Sequence, residues 1–355
     1  MKIAAQIEIL DIRHFNARQL RPLLEQEAAL WHRRLSWDYR SSTELLLQYL
    51  DSQVLPGFVA LDHSRVCGFT FCVHEAAKAI VGDVFAIDTP GSSASALQVT
   101  HTLLRHLLEV LVHSPTVTRI ESQLLLHDLG TTSPPFLDAG FSLHPRLFME
   151  CDLTLGGLGL ERLRPHAIRA APVLDGTQPI AATEPASELP PGLILRRWSS
   201  VHYEAAAALI FESYAGHLDA SINDQYRSMH GSIRFLHNIV RFPGCGVFDP
   251  DASWLLLDRQ TGRLAGMILC SRVADRVAHI TQLCIAPAYR GTGLGRTLLR
   301  HCILHLLHAG FQAITLTVTE QNQLAVRLYE QLGFFIRHRF DAVVLEKSTS
   351  FDLDA

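Results

Sequence analysis

The segment Arg290-Gly291-Thr292-Gly293-Leu294-Gly295-Arg296 constrains this chain more than any other. A mostly apolar run, His279 to Ala286, precedes it, with Pro287 between. A helical pattern, Thr297 to Leu304, follows it directly. A strand, a glycine-rich turn and a helix in that order gather unpaired backbone N–H groups and the positive end of a helix dipole at one spot. The glycines let the backbone approach an anion closely, and Arg290 and Arg296 add cationic donors on either side. Such a turn suits a pyrophosphate. It is not a P-loop, because no Gly-Lys-Ser/Thr follows, and it lacks the full G-x-G-x-x-G spacing. Taken alone, it also fits an ordinary glycine turn ahead of a helix.

The sequence downstream narrows the choice. Ala309-Gly310 stops the helix, and the β-branched run Ala313 to Val318 reads as a strand. Asn322 then suits an N-cap, and Ala325, Leu328 and Leu332 fall on one helical face before Gly333-Phe334. Ala342 to Leu345 reads as a closing strand. The order strand, R-x-x-G-x-G, helix, strand, N-x-x-A-x-x-L-Y-x-x-x-G-F, strand resembles the GNAT superfamily of acetyl-CoA-dependent N-acetyltransferases. The resemblance spans Ala278 to Leu345 and extends more weakly back to Leu193.

The resemblance implies acetyl-CoA as co-substrate, with Arg290, Gly291, Thr292, Gly293, Leu294, Gly295 and Arg296 holding the coenzyme pyrophosphate. It implies that Leu283, Cys284, Ile285 and Ala286, on a strand splayed from its neighbour, receive the pantetheine and acetyl groups. Backbone N–H groups near Ile285 are then the oxyanion donors. Asn322 caps a helix and, in the family, often contacts the coenzyme as well. Tyr329 matches the tyrosine that protonates the departing thiolate; its ring also suits plain packing of the helix on the sheet. His279 resembles in position the glutamate base of the histone acetyltransferase branch, and histidine has a suitable pKa. Strand alternation puts Thr281 and Leu283 on its face and Gln282 opposite. A satisfied polar residue at a strand start is the other reading of His279.

The two halves of the chain follow one plan. Leu61 to Phe69 and Leu257 to Met267 both read as a β-hairpin around a polar turn. Ile80 to Ile87, Leu97 to Leu111 and Thr116 to Leu126 supply a strand, a helix and a strand, and Phe136 to Phe141 matches Tyr329 to Phe334. The fold class expected is α/β (α+β): two tandem GNAT-like domains, each a mixed, mostly antiparallel twisted sheet flanked by helices. The tandem layout is similar to that of mycothiol synthases, as architecture alone. The first half has Asp88 to Ser95 where the second has its arginine–glycine turn, and Phe136 where the second has Tyr329. Residues 1–155 therefore read as a degenerate, non-catalytic copy, 156–192 as a Pro/Gly/Ala-rich linker, and 193–355 as the catalytic domain.

A net charge of −4 gives no reason to expect nucleic acid as a partner. The seven cysteines are scattered without a C-x-x-C, which suits reduced thiols and a cytoplasmic setting. No apolar run approaches a membrane span. His301, His305 and His308 share helical spacing, but they fall on the polar side of their helix, and no metal is expected. Cys245 lacks a paired histidine and reads as a small residue before a strand. The acceptor, a small-molecule or peptide amine, should meet the region Tyr203 to Arg241. Asp219 and Asp224 are candidate anchors for a cationic amine there, beside Tyr214, His217, Asn223, Tyr226 and His230. An acetyl-CoA-binding sensor without turnover is the competing class, and intact Tyr329 favours the enzyme.

Overall fold

The computed structural model describes residues 7–92, 94–154 and 189–347. The first half runs β1 (Glu8–Asp11), α1 (Ala17–Leu35), α2 (Arg40–Asp51), β2 (Gly57–Asp62), β3 (Arg65–Glu75), β4 (Lys78–Ala86), α3 (Ala96–His113), β5 (Arg119–Gln123), α4 (Ser133–Asp138) and β6 (Ser142–Asp152). The second half runs β7 (Leu193–Arg197), α5 (Tyr203–Tyr214), α6 (Asp219–Ile222), α7 (Met229–Arg241), β8 (Val247–Phe248), β9 (Trp254–Asp258), β10 (Leu264–Ala274), β11 (Val277–Ile285), α8 (Leu294–His308), β12 (Ala313–Thr319), α9 (Gln323–Gln331) and β13 (Phe335–Glu346). Most of the linker reading lies outside the described residues.

Local chemistry explains where elements start and turn. Asn16 and Gln19 form a capping box on α1, and Ser95 and Gln98 form one on α3. Between β2 and β3, His63 and Ser64 both take positive φ, at 47° and 66°, as a tight hairpin turn requires. At the matching turn, the Asp258 carboxylate accepts from the N–H groups of Gln260 and Thr261.

Registers repeat between the halves. Gly68 of β3 faces Ala86 of β4, and Gly266 of β10 faces Ile285 of β11. A bulge follows each glycine at the same distance, between Phe71 and Cys72 and between Leu269 and Cys270. The parallel pairing of β4 with β5 runs only from Lys78 to Val81, and that of β11 with β12 only from Val277 to Ile280. Beyond those points each pair of strands separates.

All thirteen strands belong to one sheet, ordered β1-β2-β3-β4-β5-β13-β6-β12-β11-β10-β9-β7, with β8 on β10. Each half's last strand thus lies in the other half's territory. Strand β6 pairs with β12 from Arg146–Thr319 to Asp152–Ala313, and β13 pairs with β5 from Ala342–Gln123 to Glu346–Arg119. The two exchanged strands also pair with each other. The apolar core under α8 and α9 accordingly includes Leu147, Met149 and Cys151 from the first half, and the core under α3 includes Val343 from the second. A fifth cluster at the junction joins Leu35, Trp37, Leu126 and Phe148 to Val273 and Phe340.

Candidate active site

The glycine turn sits where β11 hands over to α8. Gly291 and Gly293 have φ of 77° and 86°, which a side chain would strain, and a Cβ on either would meet open space. Helix α8 starts at Gly293 with no side-chain cap. Among the described residues, the N–H groups of Gly291 to Arg296 donate to no protein acceptor. That is a set of donors aimed at an anion. The two arginines do other work. Arg290 donates to the carbonyls of Ser213 and Ile285, tying the turn to α5, and Arg296 donates to Gln331 Oε1, tying α8 to α9.

Strand β11 changes phase on the way to this turn. Its register with β10 steps from Cys270–Ile280 to Leu269–Gln282, so Thr281 is the bulged residue. Simple alternation, which put Gln282 opposite His279, is thereby corrected. Ile280 packs under α8, while Cys284 and Ala286 pack on the opposite face beneath α5 and α7. Leu283 and Ile285 border the α8 core. Burial pushes the Cys284 thiol up to about 12, so it stays protonated and packs as an apolar group.

Tyr329 lies on α9, 8% exposed, with its ring 5.8 Å from that of Phe334. Burial, reinforced by Asp219 and opposed by Arg146, pushes its phenol above the usual range. No hydrogen bond engages its hydroxyl among the described residues. Asn322 caps α9 by accepting from the Ala325 N–H at 3.3 Å.

The acceptor-side residues form one connected cluster. Tyr214 and Tyr226 stack with centroids 4.0 Å apart, and the Tyr214 hydroxyl donates to Gln282 Oε1 at 3.1 Å. Asp219 receives the Thr319 hydroxyl proton from β12, and its N–H donates to His217 Nδ1 at 3.1 Å. Asp224 is committed elsewhere: Lys78 of the first half lies 2.5 Å from it, and its N–H donates to Glu121. Of the two acids singled out in the sequence, Asp219 is the one whose charge reaches the Tyr329 phenol.

His279 is packed between aromatic rings from the first half. Its centroid lies 4.9 Å from that of Trp37 and 5.9 Å from that of Phe148, and its Nδ1 bonds the Thr315 hydroxyl at 2.9 Å. Burial lowers its pKa from 6.5 to about 3. The unfolded chain therefore binds a proton on this ring between pH 6.5 and 3 while the folded chain does not. Its contribution to stability is complete above pH 6.5 and is lost as the pH falls toward 3. Replacing His279 with Gln is expected to flatten the acid limb of the stability curve. Urea titrations of both proteins at pH 5 and 7.5 measure this, and an unchanged pH dependence refutes it.

The first half shows what a closed version of the turn looks like. There the N–H of Ala96, at the start of α3, donates to the Asp88 carboxylate at 2.7 Å, and the Ser95 hydroxyl takes the Gln98 N–H. The chain's own acid occupies the helix N-terminus. Where the second half has Gln282, the first has Asp83, buried with Glu27; desolvation raises the pKa of both carboxyls.

The remaining candidates fall away from this centre. His301 and His305 lie against the Trp254 ring, and among the described residues no group of three His, Cys, Asp or Glu side chains can hold a metal. No described helix is long and apolar enough to cross a membrane. Arg146 and Trp37, both from the first half, escaped the sequence reading; neither sits in a motif, and only strand pairing brings them here.

Known proteins give this geometry a context. The acetyltransferase (GNAT) family model matches residues 215–334. The mycothiol acetyltransferase of Thermobispora bispora is 33% identical over 164 residues, 44% of this chain and 51% of that protein. That of Thermobifida fusca is 35% identical over 96 residues, 24% of this chain and 29% of that protein. The ribosomal protein bS18-alanine N-acetyltransferase of Escherichia coli is 37% identical over 75 residues, 21% of this chain and 50% of that protein. The matched segments thus span between 29% and 51% of the length of these relatives. Among solved structures, a GCN5-related N-acetyltransferase from Sphaerobacter thermophilus superposes with a TM-score of 0.59 at 13% identity, covering 96% of this chain and 95% of that one. A tandem GNAT protein from the clavulanic acid biosynthesis pathway does so with a TM-score of 0.55 at 14% identity, covering 97% and 100%. Residues 215–334 thus match the acetyltransferase (GNAT) family, and the whole chain shares its fold with a solved tandem GNAT protein.

Proposed function

We propose that the second half, residues 193–355, is an acetyl-CoA-dependent N-acetyltransferase acting directly on a primary amine, and that residues 1–155 have no coenzyme site of their own. The observation that supports this most is the contrast between the two turns. The free N–H groups of Gly291 to Arg296 suit a pyrophosphate, whereas Asp88 supplies the anion at the matching helix of the first half.

The residues then divide the chemistry. Backbone groups of Leu283 to Ala286 border the gap where β11 leaves β12 and receive the thioester arm. Asp219 attracts the acceptor as an ammonium ion, which must lose a proton before its nitrogen attacks the thioester carbonyl. The N–H groups near Ile285 stabilise the oxyanion. As the C–S bond breaks, Tyr329 passes its phenolic proton to the sulfur and is reprotonated from solvent. Asn322 holds α9, and so Tyr329, in place. His279 is not carried into this scheme, because a ring with a pKa of about 3 is a weak base and its Nδ1 is engaged by Thr315.

Thiol release from acetyl-CoA across an amine panel tests the reading. Tight binding of acetyl-CoA with no thiol release on any amine would turn it toward a coenzyme sensor. Gly293→Asp places an acid in the turn, as the first half does. It is expected to raise the KM for acetyl-CoA about tenfold or more, the scale of one or two lost charge-assisted hydrogen bonds. An unchanged KM would place the pyrophosphate elsewhere.

A further inference from the structure

Strand β6 brings a cation into this site from the other half. Its side chains alternate: Leu147, Met149 and Cys151 enter the core under α8, so Arg146 and Phe148 point to the opposite face. That is the face of His279, on which Phe148 stacks. Across the sheet Arg146 pairs with Thr319, whose hydroxyl donates to Asp219. Arg146 therefore stands one strand position from the residue that holds Asp219.

Among the described residues its guanidinium has no partner. No carboxylate lies within ion-pair distance of Arg146 among the described residues, and its Nε is buried with no acceptor. Neither nearby acid pairs with it: Asp219 accepts from the Thr319 hydroxyl, and Glu150 on the same strand pairs with Arg337. A second donor in the cluster is also unused. Gln282 is 4% exposed; its Oε1 receives the Tyr214 hydroxyl, but its Nε2 meets no acceptor. Tyr214, from which Gln282 accepts, stacks on Tyr226 in the same cluster. Buried donors without acceptors are costly unless a ligand supplies them. An arginine open at Nε presents a side-on fork, the geometry that matches a carboxylate.

We propose that Arg146, with Gln282 on the same face of the sheet, binds a carboxylate of the acceptor, so that the acceptor is an amino-carboxylate whose ammonium group is held by Asp219. This rests on the acetyltransferase reading above. It makes the first half a contributor to specificity through one side chain, while the coenzyme stays with the second half. Opposite charges on Arg146 and Asp219 then fix the direction in which the acceptor enters, amine toward Tyr329.

The test uses the full chain, acetyl-CoA, and a panel of amino acids, each paired with its amide. The wild-type protein is expected to favour the carboxylate member of the best pair at least tenfold in kcat/KM. Arg146→Gln should bring that ratio to about one, and Arg146→Lys, which keeps the charge and loses the fork, should fall between. Equal use of both members by the wild-type protein overturns the proposal, as does an Arg146→Gln ratio that stays at the wild-type value. The KM for acetyl-CoA and the melting temperature, followed in parallel, expose a misfolded variant. Equilibrium binding of the same amino acids and amides, read by calorimetry with coenzyme A present, requires no turnover. Should every amine fail to release thiol, the acetyltransferase reading fails, and carboxylate-selective binding lost in Arg146→Gln still decides for or against the anion site.

Discussion

Replacing Tyr329 with Phe is expected to lower kcat about 10²-fold or more, within the range for loss of a general acid, while the KM for acetyl-CoA stays near its wild-type value. The substitution removes one oxygen and leaves the ring against Phe334, so the melting temperature should hardly move. Burial and Asp219 keep the phenol above its usual pKa, and it therefore holds its proton at neutral pH. Tyr329 then adds no alkaline limb to the rate profile below pH 10, the ordinary tyrosine value. Steady-state kinetics and a melting curve on both proteins check the expectation. Full turnover in Tyr329→Phe would leave the ring a packing role and would move the proton donor elsewhere.

What the sequence makes legible is what depends on neighbours along the chain. The turn at Gly291 and Gly293, the cap at Asn322 and the two hairpins all follow from local residue chemistry, and all form as read. Two kinds of feature stay hidden. One is the bulge at Thr281: a single extra residue reverses the facing of everything beyond it, and nothing in Ile280-Thr281-Gln282 marks it. The other is the exchange of β6 and β13. An exchanged strand has the same alternation as one paired at home, so its partner cannot be read from its pattern. Arg146 and Trp37 reach the site only through that exchange and the packing it creates, which is why neither was a candidate. In the sequence Asp88 marks only where the arginine–glycine turn is missing; the structure gives its carboxylate a task, accepting from the Ala96 N–H at the start of α3.

Neither half of the chain is expected to fold alone. A fragment of residues 189–355 would keep β12 and β13 but lose β6, which lies between them and hydrogen-bonds to both. It would expose the surface that Leu147, Phe148 and Met149 cover, residues that are 1%, 0% and 0% exposed in the full chain. At about 1.5–3 kcal/mol for each large apolar side chain, that is roughly 5–9 kcal/mol of burial, as much as the whole stability of many domains. The fragment would also leave β13 without either of its partners and β12 with one open edge, templates for aggregation. A fragment of residues 1–154 loses β13 from between β5 and β6 in the same way. Each is expected to be insoluble or to lack a cooperative urea transition, and co-expression of 1–188 with 189–355 should restore both folding and acetyl-CoA binding. A soluble 189–355 fragment that unfolds cooperatively and binds acetyl-CoA as the full chain does would show that β6 is dispensable. The exchange also gives a reason for a first half whose own turn is closed by Asp88. It completes the sheet at β12, where Thr319 holds Asp219, and a copy that supplies this strand is kept in register by the fold of its partner whether or not it retains a coenzyme site.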